Sequence, residues 1–266
     1  MWTRLFLVLG VAALATAASP RALCSDFDYT KIQLITFDGF AALFDTYGSL
    51  PPNFRQIFDE LAVSNETIVE FTKEWLGYYS TENWMYYNTL TMSPGVRSAS
   101  DPFQYLMRTG LANVMSHLRI SATTDQVEQL MKAWGHLNPH PGVVDTLVKL
   151  NGRGIHVGIL SNADDTTQAI MATHLAPARI DYYFTTTKAG VFKPHPELYG
   201  LTEQAGYAKN TVLHVAGGGF DAMGARGFGI FAASCGGGDF CPTPDPTLQP
   251  CFFLSGVPDL AKLFHL

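Results

Sequence analysis

Short apolar runs recur along this chain at the pitch of alternating strands and helices, and the runs end in polar residues. Residues 32–37 are apolar and β-branched and stop at Asp38. From residue 143 onward the pattern repeats. Helical spacing at 143–151 leads to an apolar run at 156–161, and 166–174 leads to 182–187. Helical stretches at 196–205 and 221–227 then separate runs at 211–215 and 229–233. A last strand at 251–254 precedes a helix at 258–264. Strands and helices of these lengths form right-handed βαβ units, so the expected core is a parallel sheet with helices on both faces.

Between residues 48 and 138 the texture is different. Ser64 or Asn65 can cap a helix through Ile68, Phe71 and Trp75. Asp101-Pro102 starts another, with Phe103, Leu106, Met107, Leu111, Val114 and Leu118 on one face. Val127, Leu130, Met131, Trp134 and Leu137 keep the same spacing. The expected organisation is an α/β core from 30–47 and 139–266, interrupted after its first strand by an all-helical insert at 48–138.

Residues 1–17 read as a leader rather than as fold. Arg4 precedes the apolar stretch 5–15, and Ala15-Thr16-Ala17 gives a small-x-small cleavage site. Secretion, or delivery to the lumen of the secretory pathway, is therefore expected, with no membrane anchor after cleavage. The chain carries 17 Lys+Arg against 23 Asp+Glu, a net charge of −6, which disfavours a nucleic-acid partner. In an oxidising compartment Cys24, Cys235, Cys241 and Cys251 suggest two disulfides, with Cys241–Cys251 the expected pair across a short proline-rich loop. Asn65-Glu66-Thr67 is an N-glycosylation acceptor.

In a parallel sheet, ligands bind at the carboxyl ends of the strands. Asp38, Ser161-Asn162, Lys193 and Asp221 fall at or near such ends, and the topology would converge them on one cleft. Their chemistry is coherent. A carboxylate can attack to form a covalent ester. A nearby lysine keeps it ionised. A hydroxyl and an amide can hold an oxyanion. A second carboxylate can position water or share a magnesium ion.

The runs Ile159-Leu160-Ser161-Asn162, Phe192-Lys193-Pro194-His195-Pro196 with Tyr199, and Phe220-Asp221-Ala222 with Gly224-Ala225 resemble the haloacid dehalogenase-like (HAD) hydrolase superfamily. The similarity is greatest to the branch containing the L-2-haloacid dehalogenases. It implies a doubly wound, Rossmann-like core with a helical cap, and a hydrolase acting on a small anionic organic substrate such as a 2-haloacid. Asp38 would be the nucleophile, Lys193 its conserved lysine, and Asp221 the last acid. Ser161, Asn162 and Phe40 would bind substrate, Tyr199 would orient its neighbours, and Lys73 is the cap cation nearest in alignment. A dehalogenase of this kind requires no cofactor.

Several positions depart from the family pattern. The first motif, Asp-x-x-Gly-Thr in relatives, reads Asp38-Gly39-Phe40-Ala41-Ala42 here. Phe40 stands where phosphatases carry an acid and dehalogenases a tyrosine. Ala216 and Gly218 replace a serine and an asparagine. These losses imply eroded activity and leave two alternatives open: a degenerate fold-mate that binds without catalysis, and a magnesium-dependent phosphatase using Asp38, the Phe40 carbonyl and Asp221.

Overall fold

The computed structural model describes residues 23–92, 101–235 and 245–266. The leader at 1–17 and Cys241 lie outside them. The chain runs β1 (Leu34–Phe37), α1 (Thr46–Phe58), α2 (Asn65–Tyr78), α3 (Thr81–Met92), α4 (Pro102–His117), α5 (Thr124–Ala133), α6 (Val143–Gly152) and β2 (His156–Ser161). It continues through α7 (Asp165–Thr173), β3 (Tyr182–Thr185), α8 (Thr186–Ala189), α9 (Pro196–Gln204), β4 (Val212–Ala216), α10 (Gly219–Phe228), β5 (Phe231–Ser234), β6 (Phe252–Phe253) and α11 (Leu260–Leu263).

The strands form one sheet in the order β3-β2-β1-β4-β5-β6, and every pairing is parallel. The chain starts in the middle of the sheet and moves first to one edge and then to the other. That reversal puts β1 between β2 and β4, with Phe37 level with Ile159 and Val215. The ends of these three strands therefore lie side by side, which is the crevice where α/β sheets bind ligands. β1, β4 and β5 are buried at every position, because helices cover both faces.

Helices α1–α5 occupy the stretch between β1 and β2. Their shared core is aromatic: Phe54, Phe58, Phe71, Trp75, Phe103 and Trp134 are all fully buried. Phe71 meets Phe58 edge-on at 4.7 Å and Trp75 meets Trp134 at 5.4 Å, geometries favoured by the aromatic quadrupole. Ser64 caps α2 and Asp101 caps α4, as the sequence indicated. Helix α1 was not legible in the sequence because Pro51 and Pro52 sit inside it. Prolines remove two backbone donors and normally stop a helix. Helix α3 falls within the expected all-helical insert, but its bounds could not be set because its apolar residues lack helical periodicity.

The expected Cys241–Cys251 disulfide is not formed. Cys251 pairs instead with Cys24, 227 residues away, at a Cα–Cα distance of 4.9 Å. The N-terminal segment lies beside the β6 edge, where Leu23 N–H donates to Cys251 O at 2.8 Å and Phe27 wedges edge-on between Phe231 and Phe252. Tertiary packing brings the two cysteines together, and loop length along the chain was a poor guide. By loop entropy, closing so long a segment contributes about 5 kcal/mol.

Candidate active site

Asp38 leaves the end of β1 into one wide turn, Gly39–Leu43, closed by five-residue hydrogen bonds from Leu43 N–H to Asp38 O (3.3 Å) and Phe44 N–H to Gly39 O (3.1 Å). Turns of this width are uncommon and recur at functional sites. The turn aims the Ala41 N–H back at Asp38 Oδ2, at 3.1 Å. Gly39 permits the close approach, since a Cβ there would sit 2.7 Å from Met171 Cε.

Lys193 Nζ lies between two carboxylates, donating to Asp38 Oδ1 at 2.9 Å and to Asp221 Oδ2 at 2.8 Å. The lysine side chain is 3% exposed, whereas Asp38 and Asp221 keep 14% and 12%, so the carboxylates open to the cavity and the ammonium is sealed beneath them. Burial pulls the Lys193 ammonium pKa down, but Asp221 and then Asp38 outweigh it and leave the group more strongly protonated than usual. For Asp221, burial pushes the carboxyl up, and His214 followed by Lys193 more than offsets it, holding the acid well below the ordinary carboxylate range.

The loop carrying Lys193 is fixed from both sides. Asn162 Oδ1 accepts from Lys193 N–H at 2.8 Å. Asn88, from α3, accepts from Phe192 N–H and donates to Phe192 O, both at 2.8 Å. Ser161 Oγ reaches Asp38 Oδ1 at 3.4 Å. Tyr199 OH donates to Asp221 Oδ1 at 2.8 Å, and it gets there because Gly224 has no side chain: a Cβ would lie 2.5 Å from the hydroxyl oxygen.

His214 was not singled out by sequence reading, yet it completes the cluster. Its Nε2 is 2.8 Å from Asp221 Oδ2 and its Nδ1 is 2.9 Å from Thr36 Oγ1. An ionised carboxylate only accepts, so Nε2 carries a proton. Thr36 and His214 are level on adjacent strands and both fully buried. A histidine inside the apolar run Val212-Leu213-His214-Val215 was the available signal.

Asp38, Phe40, Asn162, Lys193 and Asp221 line a single cavity of about 430 Å³, together with Gly217, Gly218 and Gly219. Its other wall is aromatic, from Tyr79 and Trp84 in the helical layer. Ser161 and Tyr199 support the site from behind. Lys73 does not belong to it. That residue is exposed on α2, whose buried face carries Ile68, Phe71 and Trp75, so helical periodicity turns the lysine away. Among the described residues, Lys193 is the one basic side chain lining the cavity.

The donor set does not suit a magnesium ion. Both oxygens of Asp221 are taken, by Tyr199 and by Lys193 with His214. The Phe40 carbonyl accepts the Thr46 hydroxyl. An ammonium already bridges the two carboxylates that would have to share the metal.

The positions that depart from the family pattern lie in and around the site. Ala42 and Ala216 are buried, and neither offers a hydrogen-bonding group. Gly217 sits against the first motif, where a Cβ would fall 2.3 Å from the Ala41 Cβ. Gly218 has φ −148° and ψ 164°, an extended backbone open to any residue, and nothing lies within 4 Å of the place its Cβ would take.

A family model described as haloacid dehalogenase-like hydrolase matches residues 41–229. The chain is 31% identical over 199 residues to an (S)-2-haloacid dehalogenase of Xanthobacter autotrophicus, covering 73% of each chain. Over 130 residues it is 28% identical to an (S)-2-haloacid dehalogenase of Pseudomonas fluorescens, covering 48% of this chain and 57% of the relative. The fold superposes on the L-2-haloacid dehalogenase of Xanthobacter autotrophicus with a TM-score of 0.68 and 22% identity, over 88% of this chain and 98% of that one. A defluorinating L-2-haloacid dehalogenase gives 0.74 and 21%, over 88% and 96%. With its parallel core, strand-end cluster and matched family model, the chain belongs to the haloacid dehalogenase-like hydrolases.

Proposed function

We propose that this protein hydrolyses a small organic halide, of the 2-haloacid type acted on by its relatives, through an ester on Asp38. The supporting observation is the Asp38–Lys193–Asp221 bridge at the mouth of β1, with both carboxylates facing the cavity and the ammonium behind them. Asp38 attacks the halogen-bearing carbon, the carbon–halogen bond breaks, and the halide leaves with the electron pair. Water then adds to the Asp38 carboxyl carbon and gives its proton to Asp221. The oxyanion forms beside Lys193 and the Ala41 N–H, and its collapse expels the alkoxide. The alkoxide takes the proton back from Asp221 and leaves as the alcohol, and the Asp38 carboxyl gives its remaining proton to solvent. Asn162 holds the substrate carboxylate, Ser161 steadies Asp38 from behind, and Phe40 packs against the substrate's body. Asp221 is a weak base because His214 and Lys193 stabilise its charge, and the donors missing at Ala42, Ala216 and Gly218 cost further rate. Turnover is therefore slow.

The same losses favour, as the second reading, a binder of small anions that has given up catalysis. We also propose export through the secretory route, with residues 1–17 removed and a glycan on the exposed Asn65 at the start of α2. The mass of the native N-terminal peptide checks the first point and glycosidase sensitivity the second.

One experiment separates hydrolase from binder. A single turnover of 2-chloropropionate in heavy-oxygen water labels the peptide containing Asp38, because the solvent oxygen enters its carboxylate. The Asp38→Asn variant releases halide at least about 10⁴-fold more slowly. Label found only in the product means direct attack by water and removes Asp38 as nucleophile. No release by folded protein leaves the binding protein.

A further inference from the structure

Away from the Asp38 cavity, two histidines face each other. His136 Nδ1 lies 3.3 Å from His174 Nε2, with the rings edge-on and their centroids 5.5 Å apart. Both residues are exposed, and neither lines the Asp38 cavity. They belong to different layers. His136 follows α5, on the segment by which the chain leaves the helical insert, and His174 ends α7 in the core. Their approach is built in. Gly135 lies close against α7, since a Cβ there would fall 2.8 Å from Ile170 Cβ. The Asn53 amide, from α1, donates to the His136 carbonyl, and the His174 N–H donates to Met171 O at 3.1 Å. Just beyond His136 the two passages between core and insert pair with each other. Phe44 bridges Pro139, Asp45 N–H donates to Asn138 O at 2.9 Å, and His140 N–H donates to Leu43 O at 2.9 Å.

We propose that His136 and His174 together bind a borderline divalent metal ion, with zinc as the probe, and that the ion ties the exit of the helical layer to α7. Two nitrogens on adjacent corners of a zinc tetrahedron, each about 2.0–2.1 Å from the metal, stand about 3.3–3.4 Å apart. That is the separation found here. Imidazole suits zinc, copper and nickel, whereas magnesium and calcium take oxygen. Among the described residues no third His, Cys, Asp or Glu completes a metal-holding group with the pair. Water therefore fills the remaining positions, which the exposure of both rings permits. Binding is correspondingly weaker than at a structural zinc site with four protein ligands.

A metal needs both facing nitrogens bare, with each ring keeping its proton on the other nitrogen. Burial, and then the facing His136, lower the His174 pKa below its ordinary 6.5, so that ring is neutral at pH 7. Without metal, one ring donates to the other. At 3.3 Å that bond is long for a nitrogen donor, so exchanging it for metal coordination gives up little. The pair lies apart from Asp38 and stands whether or not Asp38 forms an ester.

The test follows the imidazole signals of ¹⁵N-labelled full-length protein titrated with zinc chloride at neutral pH, with magnesium chloride at matched concentration as control. The His136 and His174 signals shift together and saturate with zinc, and magnesium leaves them in place. His174→Gln and His136→Gln each weaken zinc binding by about 10–100-fold or more by calorimetry, since even an outer-shell partner is worth that much. An unchanged signal from His214, buried on β4, certifies that each variant is folded. Zinc also slows amide exchange at Asp45 and His140 in the wild type and not in His174→Gln. Signals of His136 and His174 that ignore zinc, or undiminished zinc affinity in the two variants, overturn the proposal. A shift at one histidine that survives loss of the other shows a single-ligand contact and overturns it too. Zinc held by both histidines with unchanged exchange at Asp45 and His140 overturns the tie between the layers. None of these outcomes bears on the ester, which is read from the label on Asp38.

Discussion

At the floor of the cavity, charged and polar groups satisfy one another: Lys193 with Asp38 and Asp221, Asp221 with Tyr199 and His214, His214 with Thr36. On the opposite wall, Tyr79, which caps the C-terminal end of α2, and Trp84, from α3, carry no charge, and the buried Trp84 N–H is unpaired. The floor is a closed electrostatic unit, so changing it should cost stability as well as activity. The wall is ring packing around an open space, so changing it should alter what the cavity accepts. Asn88 connects the two, since α3 clamps the peptide next to Lys193.

The hardest way to break the floor is Lys193→Met. It leaves two carboxylates facing each other without the ammonium. Removing one partner of a buried ion pair costs about 3–5 kcal/mol. Urea unfolding at pH 7 should show a loss of that size. The pH dependence carries the same information. Asp221 is held below its ordinary 3.8, so its contribution is present above that value and fades as the pH falls beneath it. Lys193 is held above its ordinary 10.5, so its contribution is present below that value and fades as the pH rises past it. The wild-type stability plateau should therefore extend from about pH 4 to pH 10. In Lys193→Met the acid limb should move upward, because Asp221 loses the ammonium that helps hold its charge. A variant as stable as the wild type at every pH would mean that the floor is not a coupled unit.

A smaller break tests how the first motif tolerates its departures. Ala41 stands where relatives have glycine, and Gly217 is the residue facing it. Gly217→Ala forces two methyl carbons to 2.3 Å, and backbone Ala42 N lies only 2.9 Å away. Overpacking of this kind costs about 1–3 kcal/mol. Thermal melts should show the loss, and Ala41→Gly in the same chain should recover the part due to the methyl clash, leaving the part due to the backbone contacts at 2.9 Å. Additive effects from the two changes would separate them and remove the compensation.

The same division explains what was legible in the sequence. The sheet was readable because each of its strands is a short apolar run, and Asp38, Asn162, Lys193 and Asp221 were readable because polar residues end or follow such runs. Parallel topology brings those positions together whatever fills the loops. His214 escaped notice because it sits within a run instead of at its end. Lys73 was chosen by alignment distance, and the periodicity of α2 overrules it. Cys251 was matched to its nearest neighbour in sequence, whereas the β6 edge brings Cys24 to it. Within the helical insert, the bounds of α1 and α3 were hidden by Pro51-Pro52 and by a stretch without an apolar stripe. Both are held by their neighbours, so no local signal marks them. The unpaired Trp84 donor depends on packing alone and has no counterpart in sequence.

The mildest change sharpens the comparison by adding to the floor. Of the three positions that lost a hydrogen-bonding side chain, Ala42 and Ala216 are buried, so added atoms must displace neighbours. Gly218 is different. Its backbone is extended at φ −148°, which any residue adopts, and the space beyond its Cα is empty to 4 Å. It also precedes α10 as an N-cap with no side-chain hydrogen bond, and asparagine is a preferred residue there. Gly218→Asn should therefore fold at least as well as the wild type, with a gain of a few tenths of a kcal/mol at most. Its amide would enter the cavity beside Asp221. A single well-placed donor can be worth about 10²–10³ in rate where the site is preorganised. Without the serine at Ala216, a rise of about tenfold in halide release is the expected share. Steady-state release of chloride from 2-chloropropionate reads it directly, with the melting temperature as the folding control. An unchanged rate in a stable variant would show that an amide at this position does not limit the reaction. The weak basicity of Asp221, set by His214 and Lys193, would then be the feature to change next.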